Sequence, residues 1–157
     1  MEILTINKDE IYNMIPHRDP FLFIDSIELH NFKEIKDAKI IGYQNFKFND
    51  FFKGHFPNYP IVPGVILVEM MAQIGGAGFN KLLQLNTPEL IKKNNMFFLA
   101  TIEKAKFREQ VRPDDKLIIE IENEKVSSKL IKQSGIIKKI ATSKEVASAK
   151  WMCLKAQ

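Results

Sequence analysis

The sequence predicts an α+β domain in which a curved antiparallel sheet wraps around one long, buried helix. Three observations predict it. The stretch from Ile61 to Phe79 runs for nineteen residues with a single ionisable side chain, Glu69, and a helix that is apolar on every side is buried within protein. From Met96 onward, segments of period-two alternation follow one another with no helical pattern between them, which favours antiparallel pairing. Finally, the 157 residues show no composition break and no internal repeat, so residues 1–157 are read as a single domain.

The first element is a helix signalled by Asn7 as N-cap, Glu10 three residues on, and Ile11, Met14 and Ile15 at helical spacing. Pro16 ends it. Phe21 to Leu29 and Ile35 to Phe46 read as extended segments. Phe51 to Pro60 holds four aromatics, two prolines and a glycine in ten residues, which reads as a loop with bulky contents. The apolar run from Ile61 follows. As a membrane span it is interrupted by Pro63-Gly64 and carries Glu69 and Gln73, so burial within protein is preferred. Gly75, Gly76 and Gly78 weaken a helix, so close backbone packing or a fraying end is expected there. Thr87-Pro88 reads as the N-cap and first residue of a short helix. Strands are then expected at Met96–Ile102, Lys104–Val111, Lys116–Glu124, Lys129–Ile140 and Lys144–Lys155. One sheet cannot cover every side of the central helix, so a second subunit is expected to share that task.

Composition narrows the function. Hydrophobic residues make up 45% and charged residues 27%, which excludes a disordered chain. The single cysteine, Cys153, excludes an intrachain disulfide and a cysteine-based zinc cluster. The start, Met1-Glu2-Ile3, lacks the basic region of a signal peptide, so a cytoplasmic location is expected. A net charge of +4 suits an acidic partner. Basic residues are spread along the chain, densest near Lys138-Lys139, without a zinc-finger spacing or aromatic–basic pattern, so nucleic acid is not expected as the partner.

Of the three histidines, His30 reads as an exposed residue at the end of an extended segment, and His17 as a structural residue fixing the turn after the first helix. His55 lies between Gly54 and Phe56-Pro57 in the aromatic loop. Glu69 is the more telling residue, because a carboxylate inside an apolar helix is costly unless neutral or paired. Val65 and Gln73 share its face, so Gln73 can hydrogen-bond it. Burial favours the protonated carboxyl and makes Glu69 a candidate proton donor, with bridging to a strand or subunit as its structural alternative. Pro63-Gly64-Val65 at the helix start supplies free N–H groups and room for close approach of a ligand. A base (His55), an acid (Glu69) and an oxyanion site (Gly64, Val65) suit proton abstraction next to a carbonyl with loss of a β-substituent.

The wording of three segments adds a resemblance. Ile15-Pro-His-Arg-Asp-Pro-Phe-Leu-Phe-Ile-Asp25, Gly54-His-Phe-Pro-Asn-Tyr-Pro-Ile-Val-Pro-Gly-Val-Ile-Leu-Val-Glu-Met-Met-Ala-Gln73 and Ile102-Glu-Lys-Ala-Lys-Phe-Arg-Glu-Gln-Val-Arg-Pro-Asp-Asp-Lys-Leu117 resemble, in order, the FabZ-type 3-hydroxyacyl-[acyl-carrier-protein] dehydratases. The resemblance implies the hot-dog fold, homodimers often assembled as a trimer of dimers, and a site in which His55 of one subunit meets Glu69 of the other. It implies dehydration of a (3R)-hydroxyacyl chain on acyl carrier protein in type II fatty acid biosynthesis, with no metal, no dissociable cofactor and no membrane insertion. Glu69 sets the sequence apart from the sister FabA branch of dehydratase-isomerases, which carries Asp there, so little double-bond isomerisation is expected. Two positions depart from the family pattern: Asp19 stands where an aromatic residue is usual, and Asp114 where a turn glycine is usual. Phe56, Met70, Ile74, Met96 and Phe98 are candidates to line an acyl channel, and Lys106, Arg108 and Arg112 to dock the acidic carrier. An acyl thioesterase and a non-catalytic carrier-binding subunit are the alternatives.

Overall fold

The apolar run from Ile61 becomes a long helix, and the sheet is organised around it in a computed structural model that describes residues 2–90 and 96–156. In chain order the elements are β1 (Ile3–Ile6), α1 (Lys8–Met14), β2 (Ser26–His30), β3 (Lys39–Asn45), α2 (Asp50–Gly54), α3 (Gly64–Asn86), a 3-10 turn (Pro88–Leu90), β4 (Phe97–Phe107), β5 (Lys116–Val126), β6 (Leu130–Lys139) and β7 (Glu145–Lys155). The seven strands form one sheet in the order β1-β2-β3-β5-β6-β7-β4, every pair antiparallel.

Helix α3 lies against the sheet with residues such as Met70, Met71, Ile74 and Leu82 fully buried. The expected close packing at its glycines is present. A Cβ on Gly78 would stand 2.5 Å from the Ile40 side chain on β3, and one on Gly75 would collide with the Gln133 amide on β6. At α1, Asn7 accepts from the Glu10 backbone N–H at 3.0 Å, as the capping signal predicts.

Several elements differ from the sequence reading. β1 was not expected, and a short helix, α2, occupies the start of the aromatic loop, capped by the Asn49 side chain. The extended segment from Phe21 becomes a strand only at Ser26, because the Gln73 side chain takes the backbone bonds upstream: Phe23 N–H donates to its Oε1, and its Nε2 donates to Phe21 O. The segment from Ile35 pairs only over Lys39–Asn45. The expected strands at Met96–Ile102 and Lys104–Val111 are one strand, β4, with irregularities between Leu99 and Thr101 and between Glu103 and Lys106, where Lys104 has φ of 53°. After Thr87-Pro88 only the 3-10 turn is described; the continuation of the expected short helix over 91–95 lies outside the described residues.

β4 is the exposed edge of the sheet. It pairs with β7 on one side, and Phe98, Ile102 and Phe107 are each about half exposed along it. The opposite edge, β1, is only four residues long.

Candidate active site

Glu69 sits about one and a half turns into α3, and its own helix orients it: Gln73, one turn on, donates from Nε2 to Glu69 Oε2 at 2.8 Å. Gln73 is itself fixed by its two bonds to the backbone at Phe21 and Phe23 and is buried. The carboxyl group opens into a cavity of about 420 Å³. Ala72, Gly76 and Asn80 continue the lining along α3, while Met96, Phe97, Phe98 and Leu99 of the β4 end, Ile131 and Gln133 of β6, and Cys153 of β7 form other parts of the wall.

His17 completes this wall from the loop after α1, with Nε2 3.5 Å from Glu69 Oε2. Loss of hydration on burial lowers its pKa below 6.5, with the Glu69 charge opposing that shift and Arg18 adding to it. Burial, then the nearby Glu69 charge, pushes the Cys153 thiol up to about 11.

His55 lies where α2 ends. Its Nδ1 is 3.1 Å from the carbonyl oxygen of Ile61. A carbonyl only accepts, so Nδ1 carries a proton, and in the neutral ring the lone pair is on Nε2. Phe56 stacks on the imidazole at 4.1 Å between ring centroids and is itself half exposed. Within one chain, His55 is not part of the wall of the Glu69 cavity. Gly64 and Val65 begin α3, so their N–H groups have no partner within the helix. Val65 is 75% exposed, and the Phe107 ring of β4 covers Gly64.

Of the channel candidates, Met96 and Phe98 line the cavity, whereas Met70 and Ile74 are wholly buried in the core. Ile74 packs where Gly42 of β3 leaves room, which accounts for its place in the core. Arg108 is tied to Glu145 at 2.6 Å, Arg112 lies over the Tyr59 ring at 4.4 Å, and Lys106 is exposed on β4. Tyr59 and Val111 link the Arg112 region to the His55 loop through Tyr59–Gln110 and Val62–Val111 hydrogen bonds. His30 is half-buried against Glu28 rather than exposed. Asp114 has φ of 71°, so it takes the left-handed turn conformation itself.

The sequence reading missed His17, Gln133 and Cys153 as cavity residues. Gly76 and Asn80 were within reach, since they continue the helical stripe of Glu69 and Gln73. Residues on β6 and β7 join it only through strand register, which places Ile131 opposite Cys153.

A sheet around a long helix is the arrangement also seen in solved hot-dog structures. The dehydratase heterocomplex ApeI:P from Xenorhabdus doucetiae superimposes with a TM-score of 0.74 at 13% identity, covering 94% of this chain and 91% of that one. A Streptococcus pneumoniae hypothetical thioesterase with coenzyme A gives a TM-score of 0.53 at 12% identity, over 83% and 88%. These likenesses define the class as the hot-dog fold. The FabA-like domain family matches residues 15–149, and the chain belongs to that family. Among curated relatives, the 3-hydroxyacyl-[acyl-carrier-protein] dehydratase FabZ of Halalkalibacterium halodurans is 40% identical over 136 residues, 85% of this chain and 87% of that protein. The protein of the same name from Petrotoga mobilis is 41% identical over 132 residues, 83% and 86% of the two chains.

Proposed function

We propose that this chain is a cytoplasmic hydro-lyase that dehydrates (3R)-3-hydroxyacyl-[acyl-carrier-protein] to the trans-2-enoyl form in type II fatty acid biosynthesis. The dehydratase relatives support the reaction, and Glu69 carries its assignment to a site: a carboxyl group clamped by an amide, set into a largely apolar cavity. His55 Nε2 takes the C2 proton while N–H groups at Gly64 and Val65 polarise the thioester carbonyl. Glu69 gives its proton to the C3 hydroxyl, the C3–O bond breaks, and water leaves. His55 ends with one proton more and Glu69 with one fewer, and exchange with solvent resets both. Every transfer is of a proton or of water, so the proposed chemistry needs no metal and no dissociable cofactor; the substrate rides on the carrier's phosphopantetheine arm.

The proposed unit is a homodimer in which each site takes His55 from one subunit and Glu69 from the other, with three dimers forming a hexamer. The half-exposed apolar residues of β4 favour pairing with a second copy, because an uncovered apolar edge invites strand addition. Phe56, Met96 and Phe98 are the proposed channel residues, joined by Met70 and Ile74 only as core behind the wall. Lys106, Arg108 and Arg112 are proposed to receive the acidic carrier, with Arg112 best placed beside the His55 loop. No helix of the described residues is long and apolar enough to cross a membrane.

The test is turnover of a 3-hydroxyacyl thioester, followed by ultraviolet absorbance of the conjugated product and by a thiol reagent. Dehydration gives the first signal alone; hydrolysis, the thioesterase alternative, releases thiol, and a silent binding subunit gives neither. His55→Ala and Glu69→Gln should each lower kcat by about 10²–10⁴ with unchanged secondary structure. Near-wild-type turnover in either variant removes the role assigned to that residue.

A further inference from the structure

The loop after α1 brings to the acid a second group that the reaction scheme does not use. Three features of His17 need a common explanation. Its Nε2 lies 3.5 Å from Glu69 Oε2, the oxygen that already receives the Gln73 amide. Its Nδ1 is buried with no hydrogen-bond partner among the described residues. And the ring forms part of the cavity wall rather than packing away in the core.

These features choose a tautomer. A proton on Nδ1 would be an unsatisfied buried donor and would turn the Nε2 lone pair toward an oxygen that already accepts from the Gln73 amide. A proton on Nε2 has an acceptor in Glu69. The neutral ring therefore carries Nε2–H. Oε2 of Glu69 then receives the Gln73 N–H and lies beside the His17 N–H, so a carboxylic acid proton belongs on Oε1.

We propose, on the basis of the dehydratase reading above, that His17 is a positioning residue for the acid: with Gln73 it occupies Oε2 of Glu69 and so assigns the transferable proton to Oε1. When that proton passes to the departing hydroxyl, the carboxylate left behind already faces two donors, and bonds to a charged acceptor are stronger than bonds to a neutral one. At 3.5 Å the contact is longer than a formed bond, and catalytic hydrogen bonds tighten as the reaction complex forms.

The scheme requires His17 to be neutral in the working enzyme. The titratable and charged groups that face it are Glu69 from α3, Arg18 next to it in the chain and the Cys153 thiol of β7 across the cavity. Arg18 is held by its own bonds to the carbonyls of Ile15, His17 and Tyr12. Burial and Arg18 together outweigh Glu69, which keeps the imidazole uncharged at neutral pH. A protonated His17 would instead pair with a carboxylate, leaving Glu69 no proton to give.

The experiment compares His17→Ala, His17→Gln and Glu69→Ala. With a short 3-hydroxyacyl thioester, His17→Ala should lower kcat roughly 10- to 100-fold, the worth of one bond to a charged group, with KM little changed. His17→Gln, whose amide N–H can reach the place of Nε2, should restore most of that loss. Nitrogen-15 spectra of the His17 ring should show Nε2–H in the wild type, and the Nε2 resonance should move in Glu69→Ala, which takes its acceptor away. A folded His17→Ala with wild-type kcat, a Gln variant no better than Ala, or a His17 Nε2 resonance unmoved by Glu69→Ala overturns the proposal. If His17→Ala does not fold, the spectrum of Glu69→Ala still decides. If the wild type does not dehydrate, the functional reading falls, while the spectra still judge the contact.

Discussion

His17 and Cys153 share a cavity that keeps both in their uncharged forms, one by lowering a pKa and the other by raising one. Each shift is also a statement about stability. His17 binds its proton less readily in the folded chain than its ordinary 6.5, so the unfolded chain holds more protons just below that pH. Its contribution is therefore complete above pH 6.5 and is lost as pH falls below it. Cys153 behaves in the opposite direction. The folded thiol keeps its proton up to about 11 against an ordinary 9.0, so its contribution is lost as pH rises from about 9 to 11. Thermal melts of the wild type should decline below pH 6.5 more steeply than those of His17→Gln; parallel curves would mean that burial of His17 has no such cost. At neutral pH the buried thiol should react with a thiol reagent only slowly in the native chain and promptly after denaturation. Fast native labelling would show that water reaches the cavity floor.

At the scale of an element, α3 shows how neighbouring glycines can have opposite meanings. Alanine is favoured over glycine within a helix by about 1 kcal/mol, from backbone entropy. At Gly76 a Cβ would meet only Ile15 Cγ2 at 3.9 Å, an ordinary contact, so Gly76→Ala should be neutral or stabilising. At Gly75 the same Cβ would strike Gln133, a buried amide whose Nε2 donates to Gly75 O and Asn123 Oδ1 and whose Oε1 accepts from Trp151. That amide cannot step aside without breaking bonds, so Gly75→Ala should destabilise by about 1–3 kcal/mol despite its better propensity. Urea unfolding of both variants checks the contrast; equal midpoints would mean that Gln133 has room to move. The same helix also marks what the sequence could and could not disclose. Its apolar run, its glycines and the Glu69–Gln73 pair are local signals, legible because residues one turn apart share a face. The cap of α1 is legible for the same reason. By contrast, β1 is too short to show a period, and irregularities around Lys104 break the alternation of β4 so that one strand reads as two. His17 reads as a turn residue because its contact with Glu69 depends on how the loop after α1 packs on α3, which no spacing encodes.

For the whole molecule, the separation of His55 from the Glu69 cavity within one chain is the observation that most needs an assembly. Three of its surfaces suit one. β4 presents Phe98, Ile102 and Phe107 along an edge that pairs only with β7 in the chain, Val65 stands out at the start of α3, and Phe56 stacks on His55 without being covered itself. A two-fold dimer contacts the same patch on both copies, so whatever one subunit lends to its neighbour it also receives. This symmetry makes a decisive experiment possible. His55→Ala and Glu69→Gln should each be inactive alone. If the proteins are unfolded together and refolded as a mixture, half of the dimers will be mixed. In each mixed dimer one site collects both substitutions and the other collects neither. The mixture should therefore regain about a quarter of wild-type turnover, as two-fold exchange of one residue per site requires. Sites built within single chains would regain nothing, because every chain in the mixture carries one lesion. Recovery would also require the mixed species to elute as dimers or larger on size exclusion, since a monomer can borrow no histidine.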